Sequence, residues 1–466
     1  MSFQYSSQPS ADSDAPVGAS SDATIQASEP LVSYKSFDDM PMFANEPTKA
    51  HLDLLAGVVK HGFERPSEIQ QKIIVPIWNR RNVIAQSQSG TGKTGSFVIG
   101  SLANLDPKLE RVQLIFIAHT HELATQIHEV VRSIGVDLVR PERVVLCVGQ
   151  NVAVNDNLAS ITRGAQILVG TPGRIKDLVT RSLPNGNPLV DPQYVRTLVL
   201  DEADRLLSQR FYRDVVDIVN RLDSRRPDNL QICIFSATMP AGDNEALIYA
   251  RKLCVPNMEE LPDWKSDHRA PLEVLIPVEE LSLDGIAQYY WQFNSLQNQG
   301  FTDKVNLILA INAEVIIPQA LIYVNNARTA EGLQRDLSAE GFICSCIYGT
   351  MHGQERNHII QGFRKGTIRI LITTDLLSRG FDVQQVALVI NFDLPYVTDR
   401  HTGQVDQDKM SEYLHRIGRS GRYGRKGVAI NFVSTAAELS RLDEIRTYFK
   451  TRIDPLPEDI QSVLSM

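Results

Sequence analysis

The 466-residue sequence predicts an α/β protein of two similar domains, each a mainly parallel sheet with helices on both faces, preceded by a disordered N-terminal tail. Three observations carry that reading. Strand-length runs are nearly continuous in apolar residues, as strands covered on both faces must be, and amphipathic segments separate them. The rhythm occurs twice, in a chain too long for one core. Polar, chemistry-bearing stretches follow the ends of the runs, where open α/β sheets hold their ligands.

In chain order, residues 1–36 are rich in Ser, Ala, Asp, Gln and Pro and poor in aliphatics. Such a segment cannot bury enough surface to offset its ordering entropy, so it reads as a tail. The first domain is expected over 37–277, with strands near 83–85, 114–118, 144–148, 167–170, 198–200 and 232–235. An irregular stretch, 254–271, precedes a linker at 278–286. The second domain, 287–466, has strands near 320–324, 342–348, 368–372, 387–392 and 428–433.

Composition limits the function classes. Five cysteines form no C-x-x-C pair and four lie in apolar runs, which fits reduced, buried thiols and argues against zinc. The N-terminus lacks a signal pattern, and no apolar stretch approaches the roughly 18 residues of a membrane span. The expectation is a soluble intracellular monomer with no membrane partner. A net charge of −8 excludes a broad basic footprint on nucleic acid but permits a local basic groove.

The stretch 85–94, AQSQSGTGKT, reads as a phosphate cradle. It follows an apolar run and opens a helix. Its loop, Ser89, Gly90, Thr91 and Gly92, would turn backbone N–H groups inward; Lys93 would reach the β/γ-phosphates and the Thr94 hydroxyl would ligate Mg²⁺. The strict pattern wants Gly where Ser87 stands. After the run 198–200 come Asp201-Glu202-Ala203-Asp204. Two adjacent carboxylates in the same domain as a phosphate loop suit Mg²⁺ binding through Asp201 and water orientation by Glu202. Alone, they would equally fit a solvated acidic helix start.

DEAD at 201–204, SAT at 236–238 and HRIGRSGR at 415–422 together resemble the signatures of DEAD-box ATP-dependent RNA helicases, in the family's order from Phe37 to the C-terminus. The resemblance implies two RecA-like domains that close over ATP and one RNA strand. GFERPSEIQ, 62–70, is similar to the family's Q motif, in which Gln70 reads the adenine edge, an acceptor–donor pairing that suits an amide. Phe37 takes the upstream aromatic position that stacks on the base, with Phe43 a competitor. Ser236 and Thr238 match the motif that couples nucleotide state to closure. His415 matches an interdomain contact, Asp382 a ribose contact, and Arg419 with Arg422 the arginine fingers. RNA contacts are expected at Thr120, His121, Thr171, Pro172, Gly173, Arg174 and Thr374, aimed at the backbone of single-stranded or short duplex RNA without sequence specificity.

Three positions depart from the family. His119-Thr120-His121 replaces Pro-Thr-Arg, Gly149-Gln150 replaces Gly-Gly, and Tyr348-Gly349 replaces His-Gly. These changes bear on RNA affinity, not on hydrolysis; a free His121 would be mostly neutral above its ordinary pKa and would strengthen RNA binding as pH falls.

Two branches of the family remain open. TTDLLSRG, DVQQV, GRKGVAIN and SFDDM resemble translation initiation factor 4A, whereas AQSQSGTGKT, YKSF and the long loop at 396–411 resemble the messenger-RNA export helicase, which is preferred. Regulatory proteins of export or translation follow as expected partners, and a cytoplasmic location extending to the nucleus or nuclear pore. A non-catalytic, ATP-gated RNA clamp and a P-loop enzyme acting on a small molecule are the rivals. The intact Glu202 and the arginines oppose the first; Gln70 and the second-domain motifs oppose the other.

Overall fold

The computed structural model describes residues 26–27, 31–87, 91–149, 152–208, 211–223, 230–238, 245–261, 263–275, 286–293, 300–314, 317–375, 386–396, 407–420 and 427–461. They form two RecA-like α/β domains, each built on a sheet with helices on both faces.

The first sheet contains β1 (Gln26–Ala27), β2 (Val83–Gln86), β3 (Leu114–Ile117), β4 (Val144–Cys147), β5 (Ile167–Gly170), β6 (Thr197–Leu200), β7 (Gln231–Ser236) and β8 (Leu272–Leu275). Their spatial order is β1-β8-β2-β7-β6-β3-β5-β4, parallel except for β1. Alternate residues along a strand enter opposite layers: Val83 and Ala85 join one core cluster and Ile84 the other, as Leu114 and Phe116 do against Ile115 and Ile117. Both layers exclude water, hence the unbroken apolar runs in the sequence.

The second sheet contains β9 (Ile286–Gln292), β10 (Ala320–Tyr323), β11 (Cys344–Ile347), β12 (Ile370–Thr373), β13 (Leu388–Asn391), β14 (Gly427–Val433) and β15 (Asp454–Pro455). The order is β11-β12-β10-β13-β14-β9-β15, all parallel.

Every strand expected from an apolar run is present. Four others carry weaker signals. β1 and β15 are two residues long, β8 is a short edge pairing, and β9 (IAQYYWQ) mixes polar and aromatic residues. Ile286, placed at the end of the linker, opens β9; residues 278–285 lie outside the described residues. Part of the expected tail is also ordered. Gln26 and Ala27 pair antiparallel with Leu275 and Val274, Leu31 and Tyr34 pack on the first core, and the Ser33 hydroxyl donates to Gln71 Oε1 at 2.7 Å. The rim strand β8 and the core surface supply partners that composition alone does not reveal. Two 3₁₀ turns, Met258–Glu260 and Trp264–Ser266, occupy the irregular stretch.

Candidate active site and nucleic-acid interface

The strand order divides the carboxyl edge of the first sheet into two halves. Strands β2, β7 and β6 are neighbours, so the phosphate loop, SAT and DEAD emerge side by side. Strands β3, β5 and β4 form the other half, and from them emerge Thr120-His121, Thr171–Arg174 and Gly149.

At the phosphate loop, Gly92 has φ +101 and caps the Lys93–Leu102 helix, a backbone shape that L side chains rarely adopt. A Cβ there would meet Gln70 Nε2 at 2.7 Å and Ser67 Oγ at 2.8 Å. Gln70 is buried beneath the loop. Its Nε2 donates to Gly92 O at 3.2 Å and its Oε1 accepts from the Ser67 amide at 2.9 Å, leaving, among the described residues, one N–H and one lone pair for a base edge. Lys93 is buried and its ammonium donates to Ser87 O. Ser87, in place of the strict glycine, shares a hydroxyl hydrogen bond with Thr91 that closes the loop. Thr94 lies in the first turn of the helix. Ser89 and Gly90 lie outside the described residues. Phe37 is 3% exposed with Phe63 stacked against it, ring centroids 6.4 Å apart. Its ring packs in the first core cluster.

Asp201 and Glu202 are buried at the end of β6. Burial first, and the Glu202 carboxylate second, push the Asp201 carboxyl well above the usual range, against the pull of Lys93 and of the Glu202 amide, which donates to Asp201 Oδ1 at 2.9 Å. Glu202 has φ +53 and ψ +51, a left-handed conformation that costs about 1 kcal/mol or more for a non-glycine residue and is found at functional sites. Asp204 joins three segments. Its Oδ1 accepts from Ser236 Oγ at 2.9 Å, its Oδ2 from Thr238 Oγ1 at 3.0 Å, and His415 Nε2 of the second domain lies 3.8 Å from Oδ2 and 3.5 Å from Thr238 Oγ1.

Across the cleft, Arg416 is fully buried and reads the carboxyl ends of three adjacent strands. Its Nε donates to Asp375 Oδ1 at 2.7 Å beyond β12, its Nη2 to Asn325 Oδ1 at 3.1 Å beyond β10, and its Nη1 to Asp393 O at 2.7 Å beyond β13. The guanidinium also lies 5.3 Å from the Tyr323 ring centroid. Together with Asn391 Oδ1, 3.4 Å from Nη1, these make four polar partners that with the aromatic face fix the side chain. Arg419 is buried just beyond the helix Gln407–Ile417, its amide donating to Arg416 O at 3.3 Å. Asp382 and Arg422 lie outside the described residues.

On the other half of the sheet edge, Thr120 caps the helix His121–Ile134, its hydroxyl accepting from the Leu123 amide at 3.2 Å. His121 is half-buried, with its ring 3.7 Å from where a Cβ on Gly149 would stand. Burial holds its pKa below the ordinary value, helped by Arg356 and Arg174 and opposed by Glu122. Protonation therefore requires lower pH than the free side chain would. Arg174 donates through Nη1 to Asn157 Oδ1 at 2.7 Å and Val152 O at 3.0 Å. Thr171 and Pro172 begin the helix Pro172–Thr180, and Gly173 has open space around it. Thr374 follows β12, its amide donating to Ile347 O at 3.4 Å. Tyr348 donates to Glu331 Oε1 at 2.5 Å, which raises the phenol pKa to about 12. Sequence reasoning missed Arg356, whose Nη2 lies 3.0 Å from Glu122 Oε1; no local pattern could have found that pairing.

The donor set fits Mg²⁺. A fully desolvated carboxylate beside a hydroxyl-bearing helix start is a hard-oxygen environment, and a cation would offset the burial that raises Asp201.

A phosphate loop, paired carboxylates and arginines at the end of a helix of the second domain define a two-domain nucleoside triphosphatase. The profile described as DEAD/DEAH box helicase matches residues 67–247, and that of the helicase conserved C-terminal domain matches 303–424. The chain is 39% identical over 412 residues to an ATP-dependent RNA helicase eIF4A of Emericella nidulans, covering 88% of this chain and 92% of the relative. It is 36% identical over 437 residues to eukaryotic initiation factor 4A of Caenorhabditis elegans, covering 92% and 93%. Among solved structures it is similar to S. cerevisiae Dbp5 bound to RNA and ADP·BeF3, with a TM-score of 0.74, 32% identity, and 93% of this chain and 98% of that one covered. The chain belongs to the DEAD-box RNA helicase family, and is an ATP-dependent RNA helicase.

Proposed function

We propose that the two halves, 37–277 and 287–466, close over ATP and an RNA backbone, and that closure assembles the hydrolytic centre. The contact of Asp204 with Ser236 and Thr238 on one side and His415 on the other carries this reading, since it links the DEAD stretch, the SAT stretch and the second domain through one carboxylate.

In this reading Gln70 holds the phosphate loop and presents its remaining amide groups to adenine. Gly90, Gly92 and Lys93 bind phosphates, and Thr94 with Asp201 would hold Mg²⁺, which when bound neutralises phosphate charge. Glu202 orients and deprotonates the attacking water. Arg419 and Arg422 face the developing γ-phosphoryl charge, and Asp382 the ribose. Thr120, His121, Thr171, Pro172, Gly173, Arg174 and Thr374 line the path of the RNA backbone. Steady-state ATPase assays with and without single-stranded RNA test the coupling; turnover indifferent to RNA would overturn it.

We favour messenger-RNA export over translation initiation as the process. The stretches AQSQSGTGKT and YKSF and the added length at 396–411 support it; the last five of those residues open the helix Gln407–Ile417 where a loop was expected, and 397–406 lie outside the described residues. Dbp5 has been solved with Gle1, inositol hexakisphosphate and Nup159, so partners of that kind and a location spanning cytoplasm and nuclear pore follow. Stimulation of the ATPase by the same organism's Gle1 with inositol hexakisphosphate is the expected result; stimulation by an initiation-factor scaffold instead would favour initiation.

A further inference from the structure

Two contacts tie the helix Gln407–Ile417 to the DEAD stretch. One is His415 against Asp204 and Thr238. The second uses residues outside the recognised motifs: Arg205 Nη2 donates to Glu412 Oε1. Arg205 directly follows DEAD in the short helix Ala203–Leu206, and Glu412 precedes His415 and Arg416 by three and four residues. At that spacing all three side chains share one helix face. The helix itself is held in its own domain by Arg416 and by Met410, Tyr413 and Ile417 in the core. A contact at His415 alone would leave that domain free to turn about one point, whereas a second contact one turn away, about 5.4 Å along the axis, fixes how the domain sits. Orientation matters because Arg419 lies just beyond the end of this helix.

The charges are arranged so that the pair is completed only across the cleft. With the two domains together Glu412 is mostly buried, near Asp375, whose carboxylate accepts from Arg416. Burial and Asp375 disfavour the Glu412 charge, and Arg205 from the first domain opposes both. Separation of the domains would take the Arg205 charge away from Glu412.

We propose that Arg205 and Glu412 are a positioning pair that sets the orientation in which the second domain docks, and with it the placement of Arg419, on the closed ATPase centre. Neither belongs to the phosphate or RNA contacts assigned above, so the pair governs turnover and not ATP binding. The inference rests on the reading that Arg419 acts on the nucleotide.

The test uses the full-length chain carrying Arg205→Glu, Glu412→Arg, or both, in ATPase assays titrated with ATP and with oligouridylate. Each single reversal should lower RNA-stimulated kcat roughly tenfold or more, while KM for ATP moves by less than about threefold, and the double reversal should recover most of the loss. Arg205→Lys, which keeps the charge, should retain most activity. Single reversals with normal kcat, or a double reversal no faster than the slower single although all melt like the parent, overturn the pair. If a reversal does not fold, the Arg205→Ala and Glu412→Ala cycle replaces it, and additive losses count against the proposal. Arg419→Ala runs beside them: normal turnover there means that the arginine reading has failed, whatever the reversals show.

Discussion

Arg356 of the second domain lies with Nη2 3.0 Å from Glu122 Oε1 of the first, and their side chains are only 7% and 11% exposed. The pair sits beside His121, on the half of the cleft proposed to hold RNA, and Arg364 repeats the pairing with Glu129 at 3.8 Å two helical turns further on. Closure therefore desolvates a charge pair that an open cleft would leave in water.

Arg356→Ala should weaken RNA binding in the ADP·BeF3 state by about tenfold or more, because Glu122 would then be buried without its cation. RNA binding measured without nucleotide should change far less. Equal losses in both states would mean that Arg356 acts directly on RNA.

Gly92→Ala should abolish nucleotide binding. The added Cβ would stand 2.7 Å from Gln70 Nε2 at a φ of +101, so it strains the loop and displaces the glutamine together. Affinity for a fluorescent ATP analogue reads this directly, and Lys93→Ala should match it in lost turnover.

Glu202→Gln should keep ATP and RNA bound while slowing hydrolysis strongly, since the base is lost and Asp201 is not. Arg419→Ala should cut RNA-stimulated turnover by roughly 10³-fold. Single-turnover hydrolysis in the presence of saturating RNA separates both effects from binding.

Burial holds His61, His121 and His128 below their ordinary pKa. Between those lowered values and about 6.5, the unfolded chain binds more protons than the folded one, so stability should decline as pH falls below about 6.5. Melting temperatures between pH 7.5 and 5.5 check the sign. For the same reason RNA affinity should not rise through His121 until pH is below about 6.5, later than a free imidazole would respond.

His121→Arg supplies a permanent charge at that position and should steepen the dependence of log K on log salt by about 0.7 for single-stranded RNA. Superimposable slopes would show that residue 121 does not reach the phosphate chain.

The phosphate loop, DEAD and SAT were legible because each is a contiguous stretch whose residue types serve one chemistry, and because each follows an apolar run that marks a buried strand. Their adjacency was not. It follows from β7 lying between β2 and β6, a pairing no periodicity encodes. The cleft-spanning contacts were hidden for a similar reason, since Arg205 and Glu412 are 207 residues apart and individually look like ordinary helix-surface charges. The partners of Arg416 were equally hidden: Asp375, Asn325 and the Asp393 carbonyl come from three different strand ends and supply the polar lining that lets a guanidinium be fully buried.

The short antiparallel pairing of Gln26–Ala27 with Val274–Leu275 has a practical consequence for the purified protein. β8 is otherwise the outermost strand of its sheet, and its unpaired backbone groups would face solvent. Recombinant protein trimmed to residue 31 would keep every motif yet expose that strand edge, and should self-associate as its concentration rises, while protein that retains residues 26–27 stays dispersed.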